Sequence, residues 1–419
     1  MEFIPRTMGT RPRLACEVSA EGVVAARAED ALAVLSAATR VLLADEVVVP
    51  RLTAIEADGT VDGSTDAVSS GVGGDAKGRA VVVGAVRKAL EAVALRSRVV
   101  TLIMPDASVR VLLLDFDELP TKPAEALPVI RFRLKKLLPF DADDAAISYQ
   151  VMSATKGPLQ VLAVAMPREL QADYENVVRE AGFEPGAILP STIAALAGLA
   201  ESDAPQLVVN AGHEGVTTAI VKGGVLLLHR TVDLGADQRA DQHAAQRNAP
   251  QQATPIKAAS APLASSEIRL PLVDRERSAE EWAKQEPLSL AEQNGLADEA
   301  ERIGREVAQE VVQEVAEEIV EEVADAESAA ENASEVAQAV SVAAAYFEDT
   351  LQTAPSVIHV AGTLGARALT ALLAEAGVGP LTVREILHAE MIGAGATNVG
   401  TQGGVPLGWF AGVRGALAN

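Results

Sequence analysis

Residues Leu127–Val151 read LPVIRFRLKKLLPFDADDAAISYQV. Leu127, Ile130, Leu134, Leu137 and Leu138 recur at three- and four-residue spacing, which predicts a helix with one apolar face. Arg131, Arg133, Lys135 and Lys136 cover its other sides. Pro139 has no N–H and clashes with the preceding turn, so the helix stops there. Ile147–Val151 then alternates as a half-buried strand does. A helix handing over to a strand in this way belongs to an α/β protein.

Working outward, the same alternation fills the first half of the chain. Arg13–Val18 and Val23–Arg27 read as a hairpin turning at Glu21-Gly22, and Val47–Glu56 as a further strand before a Gly/Ser/Asp-rich loop. Ala80–Leu95 reads as a helix, Arg98–Pro105 as a strand apolar at nearly every position, and Ser108–Phe116 as another strand. Leu159–Met166 reads as a strand and Pro167–Ala181 as a helix with proline in its first turn. Leu207–Asn210, Val216–Val221 and Val225–Val232 form a second group of strands with the character of the first, as two related halves would.

From Asp237 to Leu263 the composition turns to Gln, Ala, Asp and Pro, and five prolines between 237 and 292 forbid long regular structure, so 237–292 reads as a linker or disordered insert. A long helix is expected over about 296–347. Ile303, Val307, Val311, Val315, Ile319 and Val323 fall every four residues among glutamates, and Asp298–Glu335 holds 14 acidic and 2 basic residues. About half of the chain's net charge of −23 therefore sits there. The narrow apolar stripe reads as a solvated or partly docked helix, with a coiled-coil seam as the alternative.

The whole composition sets bounds on function. A chain of 419 residues has room for two or more domains with cores of their own. Apolar residues are 49% but aromatics only 3%, so those cores are built of Val, Leu, Ile and Ala. The acidic balance argues against nucleic acid and anionic membrane surfaces as direct partners. Cys16 is alone, which excludes an intramolecular disulfide. No run approaches the ~18 apolar residues of a spanning helix, and the start lacks a signal-peptide core, so a cytoplasmic protein is expected. His213, His229, His243, His359 and His388 share no metal-ligand spacing, and no arrangement resembles a hydrolytic nucleophile.

The helix ending in Leu-Leu-Pro-Phe, the acidic run after it and the Tyr-Gln-Val strand resemble the PilM family, the actin-like proteins of type IV pilus assembly. Val161–Leu199, Gly223–Asp237, Ala339–Leu373 and the ending LGWFAGVRGALAN carry similar wording. The resemblance implies an actin-like (ribonuclease H-like) α/β fold of two lobes. The first lobe would span 1–203 with an inserted subdomain at about 40–151. The second would span 204–403, with a C-terminal helix in 404–419 returning to the first.

It also implies a nucleotide cleft lined by three turns, carrying ATP and Mg²⁺. The first turn contains Ser19 and Gly22, with Glu17 where the family has Asp and Ala20 at a position that is usually small and polar or glycine. The second contains Asn210 and Gly212, with Asn210 standing in place of the Asp that positions Mg²⁺-bound water. The third contains Gly362 and Thr363, with Thr363 in place of a second glycine. These departures point to a degenerate cleft.

The family further implies a partner: the N-terminal peptide of a PilN-like bitopic membrane protein, with a homo-oligomer or ring as a further expectation. Leu127, Ile130, Arg131, Leu134, Leu138, Pro139 and Phe140 are the residues expected to line its groove, tying the protein peripherally to the inner membrane. An active ATPase on the same fold is the alternative. A sugar or acid kinase would need a catalytic Asp near the phosphate turns, and none stands out.

Overall fold

The structure is a computed structural model that describes residues 12–29, 34–43, 52, 71–153, 158–200, 202–213, 215–234, 329–378, 381–393 and 406–418. Chain contacts divide the molecule into a unit of residues 1–236 and 331–419 and a second unit of 237–330. The first unit is described here. The linker at 237–292, the strand expected at Val47–Glu56 apart from Leu52, and the 296–328 part of the long helix lie outside the described residues.

Two five-stranded sheets share one plan. In the first lobe β1 (Leu14–Val18), β2 (Gly22–Ala28) and β3 (Leu35–Leu42) form an antiparallel meander. β4 (Val99–Met104) and β8 (Glu184–Pro190) extend it in parallel, in the order β3-β2-β1-β4-β8. In the second lobe β9 (Gln206–Ala211), β10 (Gly215–Lys222) and β11 (Val225–Asp233) are antiparallel. β12 (Val357–Ala361) and β13 (Thr382–Glu385) follow in parallel, in the order β11-β10-β9-β12-β13. β4 lies inside the sheet between β1 and β8, which explains its nearly continuous apolar run VVTLIM: a parallel strand covered on both faces has no polar side to alternate with.

Helix α1 (Ala76–Val93) starts at Asp75, whose side chain accepts from Gly78 N at 2.7 Å, and buries Val82, Val86 and Leu90 at four-residue spacing. It lies over β2 and β3. Arg79 ties it to α3 (Arg168–Glu180) by pairing with Asp173 and, at 2.9 Å, with Glu180. In the second lobe residues 329–351 form helix α5, which docks through Val336, Val340, Ala343 and Phe347. The helix expected to end at Phe347 therefore runs one turn further. Helix α6 (Gly365–Glu375) covers the same core.

A third, three-stranded sheet holds β5 (Arg110–Phe116), β7 (Leu159–Pro167) and β6 (Ala145–Ser153) in the order β5-β7-β6, with α2 (Pro123–Leu134) packed on it. The three-stranded sheet and its helix thus span about 110–167 and not 40–151, because β3 and β4 belong to the main sheet of the first lobe and α1 packs on that sheet. Periodicity identifies those strands but not the sheet each joins. The α2 helix also ends at Leu134, earlier than Pro139. Leu137 N and Leu138 N both bond Leu134 O in a closing turn, since the residue before a proline resists helical geometry.

Between the lobes run α4 (Ser191–Ala197) and, after a short 3-10 turn at Leu407–Phe410, the C-terminal helix α7 (Ala411–Leu417). The α7 helix packs on α4, β1, β2 and β4, so the chain end returns to the first lobe. The crossing is close. A Cβ on Gly415 would stand 1.8 Å from Ala194 O, so no other residue fits there without moving a backbone. Ile193, Val208, Phe410 and Val413 are part of the continuous apolar core that joins the lobes.

Candidate functional site

The carboxyl ends of β1, β4, β9 and β12 face one another, and a cavity of about 90 Å³ lies between them. Ser19, Asn210, Gly212, Gly362 and Thr363 line it, so five of the six residues expected at the nucleotide turns meet in one place. Gly22 does not. It opens β2, and a Cβ there would meet Val41 O at 2.5 Å, so its smallness serves strand packing. Gly362 sits at φ +87° with Ala211 O 2.3 Å from where a Cβ would stand, so the third turn does need glycine.

Reading the sequence missed several residues of the site. Asp106 follows β4 and is buried. Its carboxylate accepts from Thr192 N at 3.1 Å and from the Thr192 hydroxyl. Ser191, at the start of α4, donates to Glu17 Oε1 at 2.5 Å. Asn210 joins these from the opposite lobe. Its amide nitrogen lies 3.0 Å from Ser191 Oγ, 3.0 Å from Thr192 Oγ1 and 3.3 Å from Asp106 Oδ2. Trp409 closes one wall, with the Arg40 guanidinium 6.0 Å above its ring. The sequence offered weak signals for these: a Pro-Asp after an apolar strand, and Ser-Thr after Leu-Pro at a helix start.

The charge in this cleft is negative. Glu17, Glu21 and Asp106 line it, and among the described lining residues there is no lysine or arginine. Burial pushes the Glu17 carboxyl up to about 8, against the opposing hydrogen bond from Ser191 and with added repulsion from Asp106 and Glu21. Its Oε2 has no hydrogen-bond partner and lies against Gly412 of α7. Burial likewise raises the neighbouring Cys16 thiol and lowers the His229 imidazole, which keeps both neutral at pH 7.

A Mg²⁺-nucleotide does not fit this arrangement. The cavity falls well short of the roughly 300 Å³ at the small end of ligand pockets. The position that should offer a carboxylate to Mg²⁺ offers the amide of Asn210, already spent on two hydroxyls. Among the described lining residues, polyphosphate charge would meet the carboxylates of Glu21 and Asp106 and no cationic side chain. Among the described residues no cluster of His, Cys, Asp and Glu has the geometry to hold a metal ion.

The residues expected to line a partner groove are placed elsewhere. Ile130, Leu134 and Leu138 are buried in the subdomain's own core with Leu114, Val161 and Ala163, while Leu127, Pro139 and Phe140 are half-buried. Arg131 turns back and donates to the carbonyls of Ala142 and Ala145, fastening α2 to the loop before β6. Ile130, Leu134 and Leu138 are thus committed to holding the subdomain together. The outward side of the same segment exposes Phe132 at 74%, with Val129 and Leu137 also exposed.

No family model matches the chain, and no curated protein does. Among solved structures it is similar to a chain of a PilM-PilN type IV pilus biogenesis complex. That chain is 16% identical, the match covers 91% of this chain and 90% of that one, and the TM-score is 0.54. It is also similar to the ethanolamine utilization protein EutJ from Carboxydothermus hydrogenoformans, at 11% identity over 97% and 89% of the two chains with a TM-score of 0.40. The cytoplasmic domain of EpsL, an inner membrane component of the type II secretion system of Vibrio cholerae, matches at 11% identity over 52% and 70%, with a TM-score of 0.32. The first likeness establishes the fold as the two-lobed actin-like one.

Proposed function

We propose that this chain is a non-catalytic actin-like scaffold of a type IV pilus or related secretion machine. In this reading it holds the cytoplasmic N-terminal peptide of a PilN-like bitopic membrane protein and sits at the inner membrane through that partner. The observation that carries the reading is the near full-length likeness to the chain from a PilM-PilN complex. The acid-lined cleft supports the non-catalytic part, because it offers neither room nor countercharge for a Mg²⁺-nucleotide. Among the described residues no helix is long and apolar enough to cross a membrane, which fits attachment through a partner.

The outward face of α2 is the surface best suited to an apolar peptide. Phe132 and Val129 stand on it beside the exposed Arg133, and a large exposed aromatic next to a cation is a common anchor for a partner segment. The test begins with co-purification of the full-length chain from membranes. The N-terminal peptide of a recovered bitopic protein is then synthesised and titrated by fluorescence anisotropy. Phe132→Asp weakens binding at least roughly tenfold with an unchanged melting curve. Equal affinity of the variant and the parent chain removes this face, and recovery of no bitopic protein removes the scaffold reading.

A further inference from the structure

We propose that Glu21 is a tethered anion: its carboxylate occupies an anion cradle formed by the turns after β9 and β12 and closes the two lobes without any bound phosphate. Glu21 sits on the β1–β2 hairpin of the first lobe. Its Oε1 accepts from His213 N at 2.6 Å and from Thr363 Oγ1 at 3.0 Å, and both donors belong to the second lobe. Backbone N–H groups and hydroxyls that converge from turns bind anions, and charge-assisted bonds of this length are the strong ones. The fit is close: a Cβ on Gly212 would stand 2.7 Å from Glu21 Oε1, so the absence of a side chain at 212 is what admits the carboxylate. Thr363, which stands where the resemblance leads one to expect glycine, supplies the second donor.

Asn210 makes the reciprocal contact. It reaches from the second lobe to Ser191 and Thr192 of α4, whose hydroxyls pass the hydrogen bonds on to Glu17 and Asp106. The lobes are thereby bolted in both directions, a first-lobe anion into second-lobe donors and a second-lobe amide onto first-lobe hydroxyls. An external phosphate cannot share the cradle, because its charge would join those of Glu21 and Asp106. It has to displace Glu21.

The inference rests on the reading of the cleft as one that does not take a Mg²⁺-nucleotide, and the experiment separates the two. Amide hydrogen exchange at His213 is followed in the full-length chain, in Glu21→Ala and in Glu21→Gln, which keeps the shape and removes the charge. Melting curves confirm that each variant is folded. Exchange at His213 speeds up roughly tenfold or more in the alanine variant and less in the glutamine variant. Millimolar inorganic phosphate slows it again in Glu21→Ala and leaves the parent chain unaltered. Unchanged exchange in both variants overturns the latch, and faster exchange that ignores phosphate overturns the anion cradle. Calorimetric binding of ATP with Mg²⁺ to the parent chain instead overturns the reading beneath it.

Discussion

Glu17 offers the sharpest quantitative test, because its burial leaves a signature in stability against pH. Desolvation lifts its carboxyl from an ordinary 4.5 to about 8, so the folded chain holds a proton there that the unfolded chain gives up. The sign follows directly. The contribution to stability is fully present below about pH 4.5 and is lost as pH rises toward 8. At about 1.4 kcal/mol per pH unit the loss comes to about 5 kcal/mol across that window, an order-of-magnitude figure. Glu17→Gln keeps the size of the side chain and the acceptor for Ser191, and it cannot ionise. Its amide protons find no partner at the Oε2 position, which costs the same at every pH. The assay is urea unfolding of both chains from pH 5 to 9. The stability of the parent chain should fall relative to the variant by about 1.4 kcal/mol per unit up to pH 8 and then run parallel. A constant difference across the whole range would refute the buried, protonated state.

Asn210→Asp removes both bridging donors and sets a fourth carboxylate beside Asp106, costing about 2–4 kcal/mol at pH 7 and less at pH 4.5 in the same assay. Gly415→Ala drives a methyl into the Ala194 carbonyl where α4 and α7 cross, and a calorimetric melt should show a loss of more than about 2 kcal/mol. Excising 237–292 should leave the melting temperature nearly unchanged, since that composition has little apolar surface to bury.

Much of this architecture was legible in the residues, and the parts that were not share a physical cause. Strand runs such as VVTLIM and the β1–β2 hairpin announce themselves through local pattern, and the order of the glycine turns places them at one cleft. Local pattern does not say what an element packs against. The spacing of Leu127–Leu138 suggests a ligand slot, yet Ile130, Leu134 and Leu138 form the subdomain's own core, and Arg131 donates to carbonyls 11 and 14 residues on. Phe132, counted on no apolar face by its spacing, is exposed. Glu21 is the extreme case. In sequence it is an acid beside glycine at a hairpin tip, and its partners lie 192 and 342 residues away.

The substitutions at the three turns fit together in a way that simple decay of a nucleotide site would not produce. A site that had only lost its carboxylate at position 210 would leave the hydroxyls of Ser191 and Thr192 and the amide itself without shared partners, each a buried polar group at a cost of about 1–3 kcal/mol. Here each one is joined to the next: the Asn210 amide to both hydroxyls, and the hydroxyls to Glu17 and Asp106. Thr363 in place of glycine is not an obstruction either, since its hydroxyl meets Glu21. The positions that depart from the nucleotide-binding pattern are the ones that tie the lobes to each other. A cleft built this way exchanges a ligand-dependent hinge for a fixed closure, in keeping with the scaffold role proposed above. Glu17, its carboxyl pushed up by burial and one oxygen left unmet against α7, is a position where that closure remains costly.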